Sequence, residues 1–183
     1  WKPLGSGWEG LSTRSYVYTG AGETTLLWDE ERWPIVDWYP YNETGLVSFR
    51  IPRSLVFDVP DVRISMGFEP RSEGVTLTLG VQARRHQFRA TIDGSQVTLQ
   101  MRPQPGVEGA GAWETMEAVE LRRPLPVDRV SEVEFWHVDQ SVSLYIDGVR
   151  VAWKPYYWNP SQRIEMATGT SVEQLLLRDA SDL

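Results

Sequence analysis

The chain has 183 residues, of which 41% are hydrophobic and 23% are charged, the length and composition of one globular domain. It contains no cysteine, which excludes a disulfide framework, a thiolate metal site and a cysteine nucleophile. The formal net charge of -7 repels phosphate backbones and anionic lipid headgroups, so we expect no nucleic-acid partner. No apolar run approaches the ~20 residues of a membrane span, so we expect no membrane insertion by this segment.

Glycine and proline punctuate the chain at short intervals without forming an interdomain linker. We therefore expect residues 1–183 to form a single domain. The chain begins at Trp1 without an initiator Met or a signal-peptide pattern, so we expect it to be a piece of a larger protein. The most irregular stretch, Pro103 to Ala112, is predicted to be a long surface loop.

Period-two alternation predicts most of the secondary structure. It is clearest from Val75 to Val81, where every second residue is aliphatic, as in a strand with one buried face. No window keeps a convincing helical stripe; Val172 to Leu177 could form a short helix, but its β-branched start and brevity favour a strand. Further strands are predicted at Ser15 to Thr19, Leu46 to Ile51, Val62 to Phe68, Trp113 to Leu121, Val130 to Val138 and Val172 to Arg178.

Two Asp-Gly pairs, Asp93-Gly94 and Asp147-Gly148, predict β-hairpins with two-residue type I′ turns, because both central positions of that turn need positive φ. Each turn places apolar residues of its two strands opposite one another. The predicted pairs are Ala90 with Val97, Phe88 with Leu99, Ile146 with Val149, Leu144 with Val151, and Val142 with Trp153.

Many short strands with turns between them, and no helices, predict an all-β fold built as a two-sheet antiparallel β-sandwich. Within it, Val133-Glu134-Phe135, a turn at Asp139 and the run Val142-x-Leu144-x-Ile146-Asp147-Gly148 resemble the concanavalin A-like superfamily of lectins, glucanases and laminin-G-like domains. This resemblance implies a jelly roll whose closing strand is Val172 to Arg178. It implies fold rather than function, since its motifs are structural.

The run Arg32 to Asn42 resembles part of the large extracytoplasmic insert of signal peptidase I-like proteins from planctomycete bacteria. This resemblance implies a periplasmic or secreted module, tethered to the inner membrane through a parent serine protease. Signal peptidases use a Ser nucleophile and a Lys base. Neither is recognisable in this sequence, whose two lysines are Lys2 and Lys154. The catalytic dyad would then lie outside this segment, so we assign no catalytic residue.

Two clusters of aromatic residues are candidate ligand-binding sites, because a flat ring covers the apolar face of a sugar while neighbouring polar groups bond its hydroxyls. Both are predicted to lie in loops. They are explained equally by a groove for carbohydrate or peptide and by a cap or an interface with the rest of a parent protein. The first contains Trp33, Trp38, Tyr39, Tyr41 and Asn42; the second contains Trp153, Tyr156, Tyr157 and Trp158, beside Asn159.

Glu132 and Glu134 are a candidate pair of catalytic carboxylates. Glu132 and Glu134 should project from one strand face with backbones about 6.6 Å apart, a spacing compatible with glycoside hydrolysis. The alternative is a solvated strand face. A Ser-His-Asp site through His137 and Asp139 conflicts with the alternation of neighbouring strand residues, and a satisfied polar residue at a sheet surface is the alternative.

Metals and charged partners are not indicated. Asp37, Asp139 and Asp179 are candidate calcium ligands, but no calcium-loop spacing is present, so we expect no metal and no cofactor. Basic residues cluster around Arg84 to Arg89 and at Arg122-Arg123; they are interpreted as solvated turn charges, with no partner assigned.

The sequence therefore predicts a non-catalytic, extracytoplasmic binding or scaffolding module. The resemblance further implies that it is part of a signal peptidase I-like protein. A free-standing lectin-like carbohydrate-binding module is the alternative, and a glycoside hydrolase is the third hypothesis.

Overall fold

A computed structural model describes residues 1–10, 14–33, 35–38, 56–105, 111–157, 159–161, 164, 170–171 and 173–174. The chain divides into two compact units, Trp1–Val59 and Pro60–Leu183. Strands and turns dominate both units, which confirms the all-β class. The assignment of residues 1–183 to one domain stays a prediction. No helix in the described part of the chain has the length and apolar character needed to cross a membrane.

The first unit contains short antiparallel ribbons of two or three residues a strand. Its described residues include no buried hydrophobic side chain. The predicted strand at Ser15 to Thr19 is found in shorter form, the one at Leu46 to Ile51 lies outside the described residues, and residues 36–38 form a strand where a loop was expected. The pairs are β1 (Lys2–Leu4) with β4 (Thr25–Leu27), β2 (Trp8–Glu9) with β3 (Val17–Tyr18), and β5 (Val36–Trp38) with β6 (Val56–Asp58).

The second unit contains two four-stranded antiparallel sheets, which confirms the predicted two-sheet architecture. Sheet A consists of β8 (Thr76–Ala83), β9 (His86–Asp93), β10 (Gln96–Pro103) and β11 (Glu114–Glu120), paired in chain order. Sheet B consists of β7 (Val62–Phe68), β12 (Ser131–Val138), β13 (Ser141–Ile146) and β14 (Val149–Pro155), also in that order. This strand order does not confirm the jelly-roll topology, which stays a prediction from the resemblance.

The two sheets share one apolar core. Alternate residues of each strand point inward, as the period of a half-buried strand requires. The core residues join in a single hydrophobic cluster that draws on both sheets. Its fully buried members include Phe88, Val97 and Leu99 from sheet A, and Val133, Phe135, Val142 and Leu144 from sheet B.

The first predicted hairpin is present, but its register was wrong by two residues. Asp93 pairs with Gln96, so the turn is Gly94-Ser95, and Ala90 pairs with Leu99 rather than with Val97. Of the two turn residues only Gly94 has a positive φ, 57°, which is typical of a type II′ turn. Asp93 stays in the strand because its carboxylate accepts a hydrogen bond from Thr76 Oγ1 on β8 at 3.1 Å. The shift by two keeps every apolar residue on its predicted face.

Phe88 shows the same shift, since its partner is Met101 instead of Leu99. The other close hairpin turn of sheet A, Arg84-Arg85, joins β8 to β9 with both residues at positive φ.

The second predicted hairpin has the expected turn and a partly wrong register. Asp147 and Gly148 both have positive φ, and Ile146 pairs with Val149 as predicted. A β-bulge between Leu144 and Tyr145 then shifts the register by one place. The partners of Leu144 and Val142 are Ala152 and Lys154, instead of Val151 and Trp153. Because a shift by one exchanges faces, Trp153 lies on the outer face of sheet B.

The predicted closing strand at Val172 to Arg178 is wrong where it can be examined, since Glu173 and Gln174, its described residues, are helical. The reason is local. The Gln174 backbone N–H donates to Ser171 Oγ at 3.3 Å, which makes Ser171 a helix N-cap. Serine followed three residues later by glutamine is the sequence pattern of a capping box, and it outweighs the β-branched Val172.

Two valines, Val133 in β12 and Val130 just before that strand, provide a matched test of the shared core. Val133 is 0% exposed and Val130 is 58% exposed. Val133→Ala should lower the free energy of unfolding by about 2–3 kcal/mol, through lost apolar burial and a residual cavity. Val130→Ala should change it by less than about 0.5 kcal/mol. Urea denaturation measures both, and equal losses would contradict this assignment of the core.

Candidate functional site on the outer face of sheet B

The outer face of sheet B carries two rows of side chains that the strand register places side by side. From β7 to β14, the first row is Arg63, Trp136, Ser143 and Trp153. The second row is Ser65, Glu134, Tyr145 and Arg150. Inward neighbours on the same strands fill the core, so these rows face away from it.

Trp136 is held in a fixed orientation. Its indole Nε1 donates a hydrogen bond of 2.6 Å to Glu134 Oε2. The Arg63 guanidinium lies 5.4 Å from the Trp136 ring centroid and 3.8 Å from the same carboxylate oxygen. Tyr145 packs beside the indole, with ring centroids 5.2 Å apart and planes tilted by 41°. These contacts fix one aromatic surface in the middle of the sheet.

Trp153 provides a second aromatic ring at the edge strand. It is 45% exposed, and the Arg150 guanidinium lies 5.6 Å from its ring centroid. Trp136 and Trp153 both pair with Ser143, so their backbones are two strand spacings apart, about 9.6 Å. Ser143, between them, is small and buried. The row therefore has a shallow depression at Ser143, with an aromatic ring on each side of it.

Trp113, beside sheet A, is covered by cations more closely than the two tryptophans of sheet B. Trp113 has two guanidinium groups close to it, with Arg89 at 4.2 Å and Arg102 at 4.4 Å from its centroid. Each guanidinium is anchored by a glutamine: Arg89 Nε donates to Gln100 Oε1 at 2.7 Å, and Arg102 Nε donates to Gln87 Oε1 at 2.8 Å. Both guanidinium groups lie closer to Trp113 than Arg63 lies to Trp136 or Arg150 to Trp153, so Trp113 is the more closely covered ring.

The first predicted aromatic cluster lies in the first unit and is described only in part. Trp33 is largely exposed, and its carbonyl accepts a hydrogen bond from Trp28 Nε1 at 2.6 Å. Trp38 lies in β5, and its side chain lies outside the description. Tyr39, Tyr41 and Asn42 are outside the described residues as well.

The second predicted cluster is divided by the structure. Trp153 lies in β14, as the hairpin pattern predicted, and not in the loop expected for this cluster. Tyr157 is almost fully exposed, Tyr156 is half-buried, and Trp158 lies outside the described residues. The role of both clusters in ligand binding stays a prediction.

Tyr156 belongs to a hydrogen-bond chain that ends on a core histidine. His137 is completely buried, and its Nδ1 lies 2.5 Å from the Pro60 carbonyl oxygen. Because that oxygen only accepts, Nδ1 carries the proton, and the Tyr156 hydroxyl donates to Nε2 at 2.7 Å. Arg84 in turn hydrogen-bonds Tyr156. His137 therefore ties residues before β7 and after β14 to the sheet between them.

Burial lowers the pKa of His137 from its ordinary value of 6.5, because an imidazolium would lose its hydration in the core. The hydrogen bond to Pro60 and the charge of Asp61 oppose this shift, and the positive charge of Arg84 adds to it. The expectation that His137 is a satisfied polar residue is met, but in the core rather than at a sheet surface. Asp139 has positive φ in the turn that follows, where its N–H donates to Asp61.

The two glutamates considered for hydrolysis share the outer face, as predicted. Glu132 is exposed, whereas Glu134 is half-buried and bound to Trp136 and Arg63. Its carboxylate is used to position an aromatic ring. Among the described residues, no three His, Asp or Glu side chains come together as metal ligands.

The sequence analysis did not identify Trp136 and Tyr145 as site residues, and it paired Trp153 with the inward-facing Val142. Alternation in β12 does put Trp136 on the same face as the two glutamates, so that signal was available. The outward position of Trp153 could not be predicted from the sequence, because it depends on the bulge in the β13–β14 hairpin.

Comparisons of the chain with protein-family models, with curated proteins and with solved structures find no match.

The buried His137 predicts a loss of stability in mild acid. Its pKa is ordinary in the unfolded chain and lower in the folded chain, so only the unfolded state gains a proton as the pH first falls below 6.5. The free energy of unfolding should therefore decline from pH 6.5 downward, and this contribution should be absent above that pH. Denaturant titrations across this range measure the effect.

The chain has one other histidine, His86, which serves as the control. His86→Gln should keep the acid-dependent loss of stability. His137→Gln should remove the part of this loss that comes from protonation of His137 in the unfolded chain. An unchanged pH profile in His137→Gln would contradict the assignment.

Proposed function

We propose that the chain is a non-catalytic binding module that holds a neutral glycan on the outer face of sheet B. The observation that carries this proposal is the row in which Trp136 and Trp153 flank the small Ser143. Of the functions that the sequence allows, this is the carbohydrate-binding one, located on a sheet face instead of a loop.

Aromatic rings favour sugars for a simple physical reason. The axial C–H groups of a pyranose form an apolar face that packs against an indole, and burying it releases water. Two rings carried on backbones about 9.6 Å apart suit an extended chain better than one sugar, because successive units can contact successive rings. A flat sheet face is open along its length, so it suits the middle of a chain as well as its end.

The polar groups around the rings support a neutral ligand. Arg63 and Arg150 contribute two positive charges, and Glu132 and Glu134 contribute two negative ones. These charges cancel, so the face has no preference for an acidic or a basic polymer. Mixed donors and acceptors match sugar hydroxyls, which both donate and accept hydrogen bonds.

Binding without hydrolysis follows from how the carboxylates are used. A glycosidase needs one carboxyl group to donate a proton and another to act as nucleophile or base. Glu134 instead accepts the indole N–H of Trp136, and its partner Glu132 is exposed to solvent. The extracytoplasmic setting and the signal peptidase-like parent remain predictions from the sequence.

Binding to neutral oligosaccharides of increasing length tests the proposal. An array of neutral glycans identifies a ligand, and isothermal titration calorimetry gives its affinity. Affinity should rise with length until both rings are covered. Trp153→Ala should weaken binding at least tenfold, about 1.4 kcal/mol, because it removes one ring without touching the core.

Trp33→Ala is the matched control, since it removes an exposed tryptophan from the first unit. It should leave affinity unchanged if sheet B is the site. Weakening by Trp33→Ala alone would move the site to the first predicted cluster, and the absence of any neutral glycan ligand would reject the proposal.

A further inference from the structure

A pocket opens at one end of the second unit, and none of its lining residues belongs to the two rows on the outer face of sheet B. Its volume is about 180 Å³. The segment that joins β11 to β12 forms one side, and the β13–β14 hairpin forms the other. We call it the 121–131 pocket.

Three arginines give this pocket a positive charge. Arg122, Arg123 and Arg129 all line it, and all three are exposed. Within the described residues, no carboxylate lies at ion-pair distance from any of them. Asp147 also lines the pocket, but its Oδ1 accepts the Glu132 backbone N–H at 2.9 Å. The pocket thus has a surplus of cations in a chain whose net charge is -7.

Ser131 supplies an independent observation. It is 1% exposed and lines the same pocket. Its Oγ has no hydrogen-bond partner among the described residues, although almost all buried hydroxyls have one. A buried hydroxyl without a partner costs about 1–3 kcal/mol. An acceptor atom placed in the pocket would remove that cost.

The remaining wall is apolar. Leu121, Leu125, Ile146 and Val151 line the pocket together with Pro124 and Pro126. Inorganic phosphate would pair with the arginines but would leave the apolar wall exposed to water. A carboxylate on a short aliphatic body would satisfy both parts, with the planar carboxylate matched to guanidinium groups.

We propose that the 121–131 pocket binds an aliphatic carboxylate, with Arg122, Arg123 and Arg129 attracting the anion and the Ser131 hydroxyl donating a hydrogen bond to it. The same chemistry is offered by a small free acid and by the C-terminal carboxylate of a peptide that ends in an aliphatic residue. This site is separate from the glycan face, and it stands or falls independently of the proposed function.

Calorimetric titration of the full chain tests the pocket with four probes. Hexanoate and an N-acetylated peptide ending in leucine should both show saturable binding, and the same peptide with an amidated C terminus should bind at least tenfold more weakly. Inorganic phosphate should bind more weakly than hexanoate. Tighter binding of the peptide acid than of hexanoate assigns the natural source to a peptide terminus, and the reverse order assigns it to a small acid.

Variants locate the binding. Replacing the three pocket arginines by glutamine should abolish hexanoate binding, whereas Arg85→Gln, at an exposed position in the β8–β9 turn outside the pocket, should leave it unchanged. Ser131→Ala should weaken binding several-fold without lowering the melting temperature of the ligand-free chain, because the hydroxyl has no partner there to lose. That combination separates a binding role from a structural one.

Several outcomes would overturn the proposal: no saturable binding of either acid, equal affinity for the acid and amide peptides, equal affinity for phosphate and hexanoate, or unchanged binding in the triple arginine variant. Trp153→Ala should not affect hexanoate binding. Loss of glycan binding with retained hexanoate binding, or the opposite, shows which of the two sites fails.

Discussion

The second unit depends on one constraint: two four-stranded sheets must bury the same apolar face. Neither sheet is stable in water with its inner face exposed, and burial of side chains such as Phe88 and Phe135 against a common core removes that face from solvent. The inner residues are therefore committed to packing. Function is left to the outer faces and to the loops at the ends of the sheets.

The β-bulge between Leu144 and Tyr145 shows how a small departure from regular pairing positions a functional side chain. Without it, Trp153 would pair with Val142 and point inward, where an indole would overfill the core. With it, the buried position goes to Ala152 and the indole lies outside, in the same row as Trp136. A structural irregularity thus creates the aromatic row.

Alternation predicted the long strands well, and Val62–Phe68 was predicted with its observed bounds. It could not distinguish a turn at Asp93-Gly94 from one at Gly94-Ser95, because a shift by two leaves every residue on the same face. The short strands of the first unit have two or three residues, too few to show a period. The bulge was also hidden, since Val149, Val151 and Trp153 alternate as a regular strand would. The 121–131 pocket depends on how its loop folds, which the alternation of residues along the sequence does not predict.

Native-state hydrogen exchange tests the shared core most directly. Leu99 and Leu144 lie in different sheets and are both completely buried. If the sheets are stable only together, their backbone amides should exchange through the same global opening, with the free energy of unfolding measured in denaturant. Two clearly different opening free energies, with one sheet exchanging while the other stays protected, would contradict the account.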